Sequence, residues 1–138
     1  SLQTFMPLIE QPDTTFFSLQ LGPPADDIDR FGAGALVHDL RPHLRDFSDT
    51  AAVLSKLDLV ICVDTSLAHL AGAMARPVWT LLPFAPDWRW RLERPDTPWY
   101  PSMRLFRPDS PRDWTGVIGQ VKDALVDFRK TFAAAQTT

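Results

Sequence analysis

Two uninterrupted apolar runs, Leu59–Val63 (LVICV) and Val78–Leu82 (VWTLL), constrain this chain more than any other feature. A strand buried on one face alternates apolar and polar residues. A strand that is apolar at every position needs cover on both faces, which is the situation of a parallel sheet between two layers of helices. Between the runs stand Asp64, Thr65 and Ser66, then small residues Ala68, Ala71, Gly72 and Ala75 at helical spacing, then Pro77. Small residues let a helix approach a sheet closely, and Pro77 ends it. The stretch Leu57–Leu82 therefore reads as strand, tight turn, helix, strand, and the rest of the chain reads as its support.

A chain of 138 residues suits one compact domain, 1–138, burying roughly two thirds of its unfolded surface. It starts at Ser1 without an initiator Met, which suggests a fragment of something longer. The formal charge of −3 comes from interspersed acids and bases, so the basic stripe of a nucleic-acid binder is missing and neither DNA nor RNA is expected as a partner. No apolar run approaches the roughly 20 residues of a spanning helix, and the N-terminus lacks the pattern of a signal peptide. Cys62, the single cysteine, lies inside an apolar run and reads as an inert buried thiol in a reducing, cytoplasmic setting.

Taken in order, Leu2–Glu10 has the apolar spacing of a helix that began upstream, ended by Pro12. Thr14–Leu21 (TTFFSLQL) is rich in β-branched and aromatic residues, so it is predicted to be a strand with Ser18 and Gln20 near its end. From Pro23 to Arg45 a loop region surrounds one brief strand, Ala35–Leu40. Asp46 can cap a helix with Asp49 at its third position, with Phe47, Ala51, Leu54 and Leu57 on one face. Pro83–Pro111 has too many prolines for a long regular element and too many aromatics for a disordered linker. It reads as an ordered Pro/Trp-rich loop, 83–111, with a short strand at Met103–Phe106. Ser110-Pro111-Arg112-Asp113 then signals a helix start, with Ser110 at the cap. Trp114, Val117, Ile118, Val121, Leu125 and Phe128 follow on one stripe, and Ala133–Thr138 reads as a frayed end. Alternating strands and helices imply an α/β fold, a Rossmann-like doubly wound parallel sheet flanked by helices with right-handed crossovers. Such sheets bind ligands at the carboxyl ends of their strands.

The polar knot stands where a buried strand meets a helix, so the amides of Ser66, Leu67 and Ala68 should point outward and attract phosphate. Hydroxyls of Thr65 and Ser66 can add hydrogen bonds. Asp64 would repel a diphosphate unless it faced another group, such as a sugar hydroxyl. The plainer alternative is that Asp64 or Thr65 simply caps the helix, and spacing alone leaves both readings open. The glycine-rich signatures of dinucleotide and P-loop sites are absent. His69, one turn into the helix, either faces the site or packs beside the strand. No second ligand stands near it at metal spacing, so no metal is expected. There is no Gly-x-Ser-x-Gly elbow, and Cys62 has no neighbouring base, so nucleophilic hydrolysis lacks support. The tryptophans of the loop either stack a base or sugar or cover an edge of the core.

LDLVIC followed by VDTSLAHLAGAMARPVWTLLP, with PFAPDWRW and TPWYPSMRLFR beyond, resembles the C-terminal half of heptosyltransferase-like enzymes of glycosyltransferase family nine. The variant most similar is the one found behind tetratricopeptide repeats in bacterial proteins, and the resemblance runs from about Phe16 to Leu125. It implies half of a GT-B fold, in which two Rossmann-like domains face each other across a cleft and the C-terminal one holds a nucleoside-diphosphate sugar. That sugar nucleotide would be a substrate, and no separate cofactor is implied. By the same resemblance Asp64 would reach the transferred sugar, Thr65 and the amide of Ser66 would hold the diphosphate, and His69 matches the motif's histidine. Gln20, Asp46, Phe47, Phe84 and Asp87 are the base and sugar contacts it suggests. Many family members carry Gly where this chain has Ser66. The partners implied are the sugar-nucleotide donor, an N-terminal acceptor domain and a tetratricopeptide-repeat region. Without that acceptor domain the chain should have little or no transferase activity. A different class of function is an interaction module that keeps the fold without turnover, using the Trp-rich loop as a contact surface. A sugar-nucleotide epimerase would need an acid and a base carboxylate that the pattern does not supply.

Overall fold

A computed structural model describes residues 2–63, 65–84 and 100–136. Its helices are α1 (Leu2–Ile9), α2 (Asp27–Arg30), α3 (Phe47–Leu54), α4 (Ser66–Ala73) and α5 (Trp114–Gln136). The strands are β1 (Phe16–Ser18), β2 (Val37–Asp39), β3 (Val60–Val63), β4 (Val78–Leu81) and β5 (Met103–Phe106), with short 3-10 turns at Pro23–Asp26, Ala33–Ala35 and Arg41–His43. All pairings are parallel. In one sheet Phe16 faces Val37 and Ser18 faces Asp39. In the other, ordered β3-β4-β5, Val60 faces Val78, which faces Met103, and Val63 faces Leu81, which faces Phe106.

The two apolar runs became β3 and β4 because both faces of that sheet are covered. Alternate residues point to opposite layers. Val60, Cys62, Val78, Leu82, Met103 and Leu105 pack with Leu54 of α3 and with Ala68 and Ala71 of α4. Trp79, Leu81 and Phe106 pack on the other side with Leu8 of α1 and with Val117, Ile118, Val121 and Leu125 of α5. Every residue of β4 is buried, and each large apolar side chain so placed contributes roughly 1.5–3 kcal/mol. The Trp79 ring lies 5.4 Å from that of Phe106 and 5.8 Å from that of Phe128, which fixes α5 against the sheet. Cys62 is buried as expected. The α/β class with parallel strands between helices holds.

Several boundaries moved, each for a local reason. Instead of one continuous sheet, the described strands form two hydrogen-bonded groups. Side chains of the first still enter both layers of the second, Phe16 on the α5 side and Leu19 on the α4 side. The β1 strand covers only Phe16–Ser18, because Asp13 turns the chain with φ 57° and β2 offers three paired residues. The presumed loop before Arg45 contains α2, whose buried Asp27 accepts the Leu2 amide at 3.1 Å and Arg30 Nη1 at 3.1 Å. Phe47 does not join the core face; it is 66% exposed, as a first-turn residue beyond the packed end of α3. The Ser-Pro start of α5 is displaced to Trp114, because Arg112 has φ 64° and cannot continue a right-handed turn. Asp113 takes over as the cap, its Oδ1 accepting the Gly116 amide at 3.1 Å. The helix then runs to Gln136, past the expected fraying point at Ala133. The central part of the Pro/Trp-rich loop, 85–99 with Trp88, Trp90 and Trp99, lies outside the described residues; beyond it Met103–Phe106 is β5, as expected.

Candidate functional site at the carboxyl end of β3

The chain passes from β3 into α4 through Thr65, which occupies the N-cap position in an extended conformation, φ −140° and ψ 175°. Threonine in that conformation normally turns its hydroxyl onto an amide of the first turn. Here the hydroxyl donates back to the carbonyl of Val63 at 3.3 Å, and Thr65 makes no side-chain cap. The reading of Thr65 as a simple cap is therefore set aside. The amides of Ala68 and His69 reach the Thr65 carbonyl at 3.1 and 3.4 Å. Ala68 is thus already paired, and only Ser66 and Leu67 present amides with no hydrogen-bond partner among the described residues. Their N–H groups and the positive end of the helix dipole face outward at a strand's carboxyl end, where an anion gains roughly 0.3–1 kcal/mol from the dipole alone.

The neighbouring strand completes the rim. Because Val63 pairs with Leu81, the chain leaving β4 carries Phe84 past the same edge. Val63 is 41% exposed and Phe84 50% exposed, so the chain carries exposed apolar side chains where it leaves β3 and β4. Asp64 and Asp87 lie outside the described residues.

His69 is half-buried on α4, and its Nδ1 lies 3.1 Å from the hydroxyl of Tyr100. The two rings meet edge to face with centroids 5.7 Å apart. Tyr100 sits this close because Gly72 has no side chain; a Cβ there would fall 2.5 Å from Tyr100 Cγ. The small residue expected to bring α4 onto the sheet thus brings an aromatic ring onto α4 instead, while Ala68 and Ala71 make the sheet contact. Tyr100 was absent from the sequence-based site. Its link to His69 spans 31 residues, and the signal was a glycine one turn beyond the histidine on the same helix face.

The other described candidates make bonds of their own. Asp46 is spent on structure, its Oδ1 accepting the Asp49 amide at 3.0 Å. Phe47 beside it projects into solvent. Gln20, past the end of β1, donates its side-chain amide to the Leu21 carbonyl at 3.0 Å. Among the described residues no hydrogen bond or ring contact joins Gln20, Asp46 or Phe47 to Thr65 or Ser66. Where β2 ends, Arg41 is held by Asp39 at 2.7 Å and by Asp26 at 2.6 Å, and the side-chain and backbone hydrogen bonds from Arg41 hold the Asp39 carboxyl below its ordinary range. Among the described residues no three His, Cys, Asp or Glu side chains gather into a metal-binding group, and no helix is long and apolar enough to cross a membrane.

The profile of glycosyltransferase family 9 (heptosyltransferase) matches residues 36–112, more than half of the chain. The chain belongs to glycosyltransferase family 9. The matched span takes in β2, α3, β3, α4, β4 and β5, so the open turn at Thr65 and the His69–Tyr100 pair are both part of the family 9 region. Protein FlbA of Caulobacter vibrioides is 32% identical over 126 residues, which make up 88% of this chain and 21% of FlbA. The family 9 chain thus spans about a fifth of that relative's length. No solved structure matches it.

Proposed function

We propose that this family 9 chain is the donor-binding domain of a sugar transferase and that it holds the diphosphate of a nucleoside-diphosphate sugar at the start of α4. The observation that carries this reading is the pair of amides on Ser66 and Leu67 that have no partner among the described residues, although Thr65 stands in capping conformation beside them. A departing nucleoside diphosphate gains negative charge as the sugar leaves. Fixed N–H dipoles aimed at that charge stabilise the transition state more than the ground state. Asp64, next to the open turn in sequence, would address the sugar, and Phe84 the base or sugar face. The acceptor, and the base that deprotonates it, would come from a second domain of a longer protein.

Titration of the intact protein with UDP, ADP, GDP and CDP tests this directly. Binding of at least one of them in the micromolar to low millimolar range, weakened by inorganic pyrophosphate in competition, is the expected result. No binding of any of the four at millimolar concentration would overturn the assignment.

The exposed apolar rim of Val63 and Phe84 supports a second reading, a module that keeps the fold and uses this edge as a protein contact. Catalytic sugar transfer by the longer protein, lost on changing Asp64, would count against it.

A further inference from the structure

We infer that the facing edges of β1 and β3 form a slot for one further parallel strand, supplied by residues that precede α1 in a longer protein. This strand is required by the sheet whether or not a nucleotide binds.

The register leaves both edges open. In a parallel ladder, alternate residues turn their backbone groups to opposite sides. The Leu40 amide donates to the Ser18 carbonyl, so Phe16 and Ser18 engage β2 and the backbone of Phe17 turns the other way. The Val60 amide donates to the Pro77 carbonyl, so Val60 and Cys62 engage β4, and Ile61 and Val63 turn away from it. Among the described residues no backbone hydrogen bond joins the Phe17 edge to the Ile61 edge. Yet β1 shares the layers of the larger sheet, Phe16 on the α5 side and Leu19 on the α4 side. Phe17 and Val63 remain 42% and 41% exposed, whereas every residue of β4, flanked on both sides, is buried. Parallel strands are ordinarily buried inside a sheet, and an unpaired edge is a template for another strand.

Handedness selects the occupant. Crossovers between parallel strands are right-handed. The crossover from β3 to β4 places α4 on one face of the sheet, and α1 lies on the opposite face with α5. A right-handed crossover on that opposite face must step along the sheet in the opposite direction. The strand that feeds α1 therefore lies on the β3 side of β1, which is the slot. Its direction agrees. Helix α1 leads down to the start of β1, so Leu2 stands at the carboxyl ends of the strands, where its amide meets Asp27 beyond the end of β1. The resulting order, β2-β1-slot-β3-β4-β5, grows outward from the slot in both directions, as doubly wound sheets do. The matched span is about a fifth of FlbA, so a protein of that length has residues to supply the strand.

Two measurements on the longer protein test this. Its residues before Leu2 should include a run of roughly four to six consecutive apolar residues, because the slot is covered on both faces, ending within about fifteen residues of Leu2. In NMR spectra the Phe17, Ile61 and Val63 amides should exchange within roughly tenfold of the rate of the Trp79 and Leu81 amides. They should also show nuclear Overhauser contacts to that run, Phe17 on one side of it and Ile61 on the other. Absence of the run overturns the inference. So does fast exchange at the three amides, and so do contacts that join them instead to each other, to residues 85–99, to residues beyond Gln136 or to a second copy.

Discussion

Helices α3 and α4 begin alike in backbone and differ in what closes them. Asp46 and Thr65, the two N-cap residues, are both extended, with φ −151° and −140°. At α3 the carboxylate of Asp46 accepts the Asp49 amide at 3.0 Å, and Asp49 in turn accepts the Arg45 amide at 2.9 Å. The end is sealed by its own residues. At α4 a residue fully able to cap points its hydroxyl away, forgoing about 1 kcal/mol of helix stability. A terminus that lacks a capping residue says little, but α4 has such a residue in the right conformation and does not use it, and this is the turn that the proposed diphosphate would complete. The end of α5, sealed by Asp113, sides with α3.

Giving α4 the cap that α3 already has should break this contrast with the largest effect. In Thr65→Asp the new carboxylate can accept the Leu67 or Ala68 amide, as Asp46 does in α3. The free protein should gain about 1 kcal/mol in denaturant unfolding. Nucleotide affinity should fall by more than roughly tenfold, about 1.4 kcal/mol, because a fixed negative charge now occupies the anion's place. Stability and binding moving in opposite directions is the signature of an end left open for a ligand. If the substitution weakens neither UDP, ADP nor GDP binding, the two helix ends differ for no reason connected with ligand.

A pair of glycine substitutions sharpens the comparison further along α4. Gly72→Ala must displace Tyr100, whose Cγ would lie 2.5 Å from the added Cβ. Overpacking of this kind costs typically 1–3 kcal/mol and outweighs the helix propensity gained, which is at most about 1 kcal/mol. On α5, Gly119→Ala meets nothing within 4 Å and should stabilise by roughly 0.5–1 kcal/mol. Thermal unfolding of both variants should give shifts of opposite sign. Equal shifts would mean that Tyr100 is not seated on α4 as described.

Asp46→Ala comes next, with a loss of about 1 kcal/mol from α3 and no change in nucleotide binding, since Asp46 and Phe47 make no described contact with the open turn. Calorimetric titration beside a denaturation curve reads both. Weakened binding would place Asp46 in the proposed donor site, as the family resemblance suggests.

What the sequence made legible follows this same division between local and distant causes. The β3 and β4 strands could be read because burial on two faces writes an unbroken apolar run. The cap of α3 could be read because Asp46 and its acceptor amide are three residues apart. The start of α5 misled because Ser110 and Pro111 satisfy the same local rule, while the left-handed turn at Arg112 leaves no mark in residue type. The ends of β1 were set by the short partner β2, a tertiary matter. Phe47 fell on the apolar stripe of its helix but lies beyond the part of α3 that packs. Least legible was Tyr100: nothing near it in the chain announces His69 or Gly72, and only the fold brings them together.

The smallest expected effect concerns acid. The backbone amide of Arg45 is the main reason that the Asp49 carboxyl is held below its ordinary value of 3.8, so the folded protein keeps this group ionised at a pH where the unfolded chain takes up a proton. That contribution to stability is present above 3.8 and is lost as the pH falls through the lower folded value. Thr65 and Ser66, by contrast, carry no group that titrates there. Amide hydrogen exchange read residue by residue as the pH is lowered from about 5 toward 2 should therefore show the Arg45 amide, which the Asp49 carboxylate accepts, losing protection before the amides within α3. The Ala68 and His69 amides, held by a backbone carbonyl, should change only with global unfolding. Asp49→Asn should flatten the early response at α3 and leave α4 as it was. An early response of equal size at both helices would mean that carboxylates seal both ends, and the contrast between α3 and α4 would be gone.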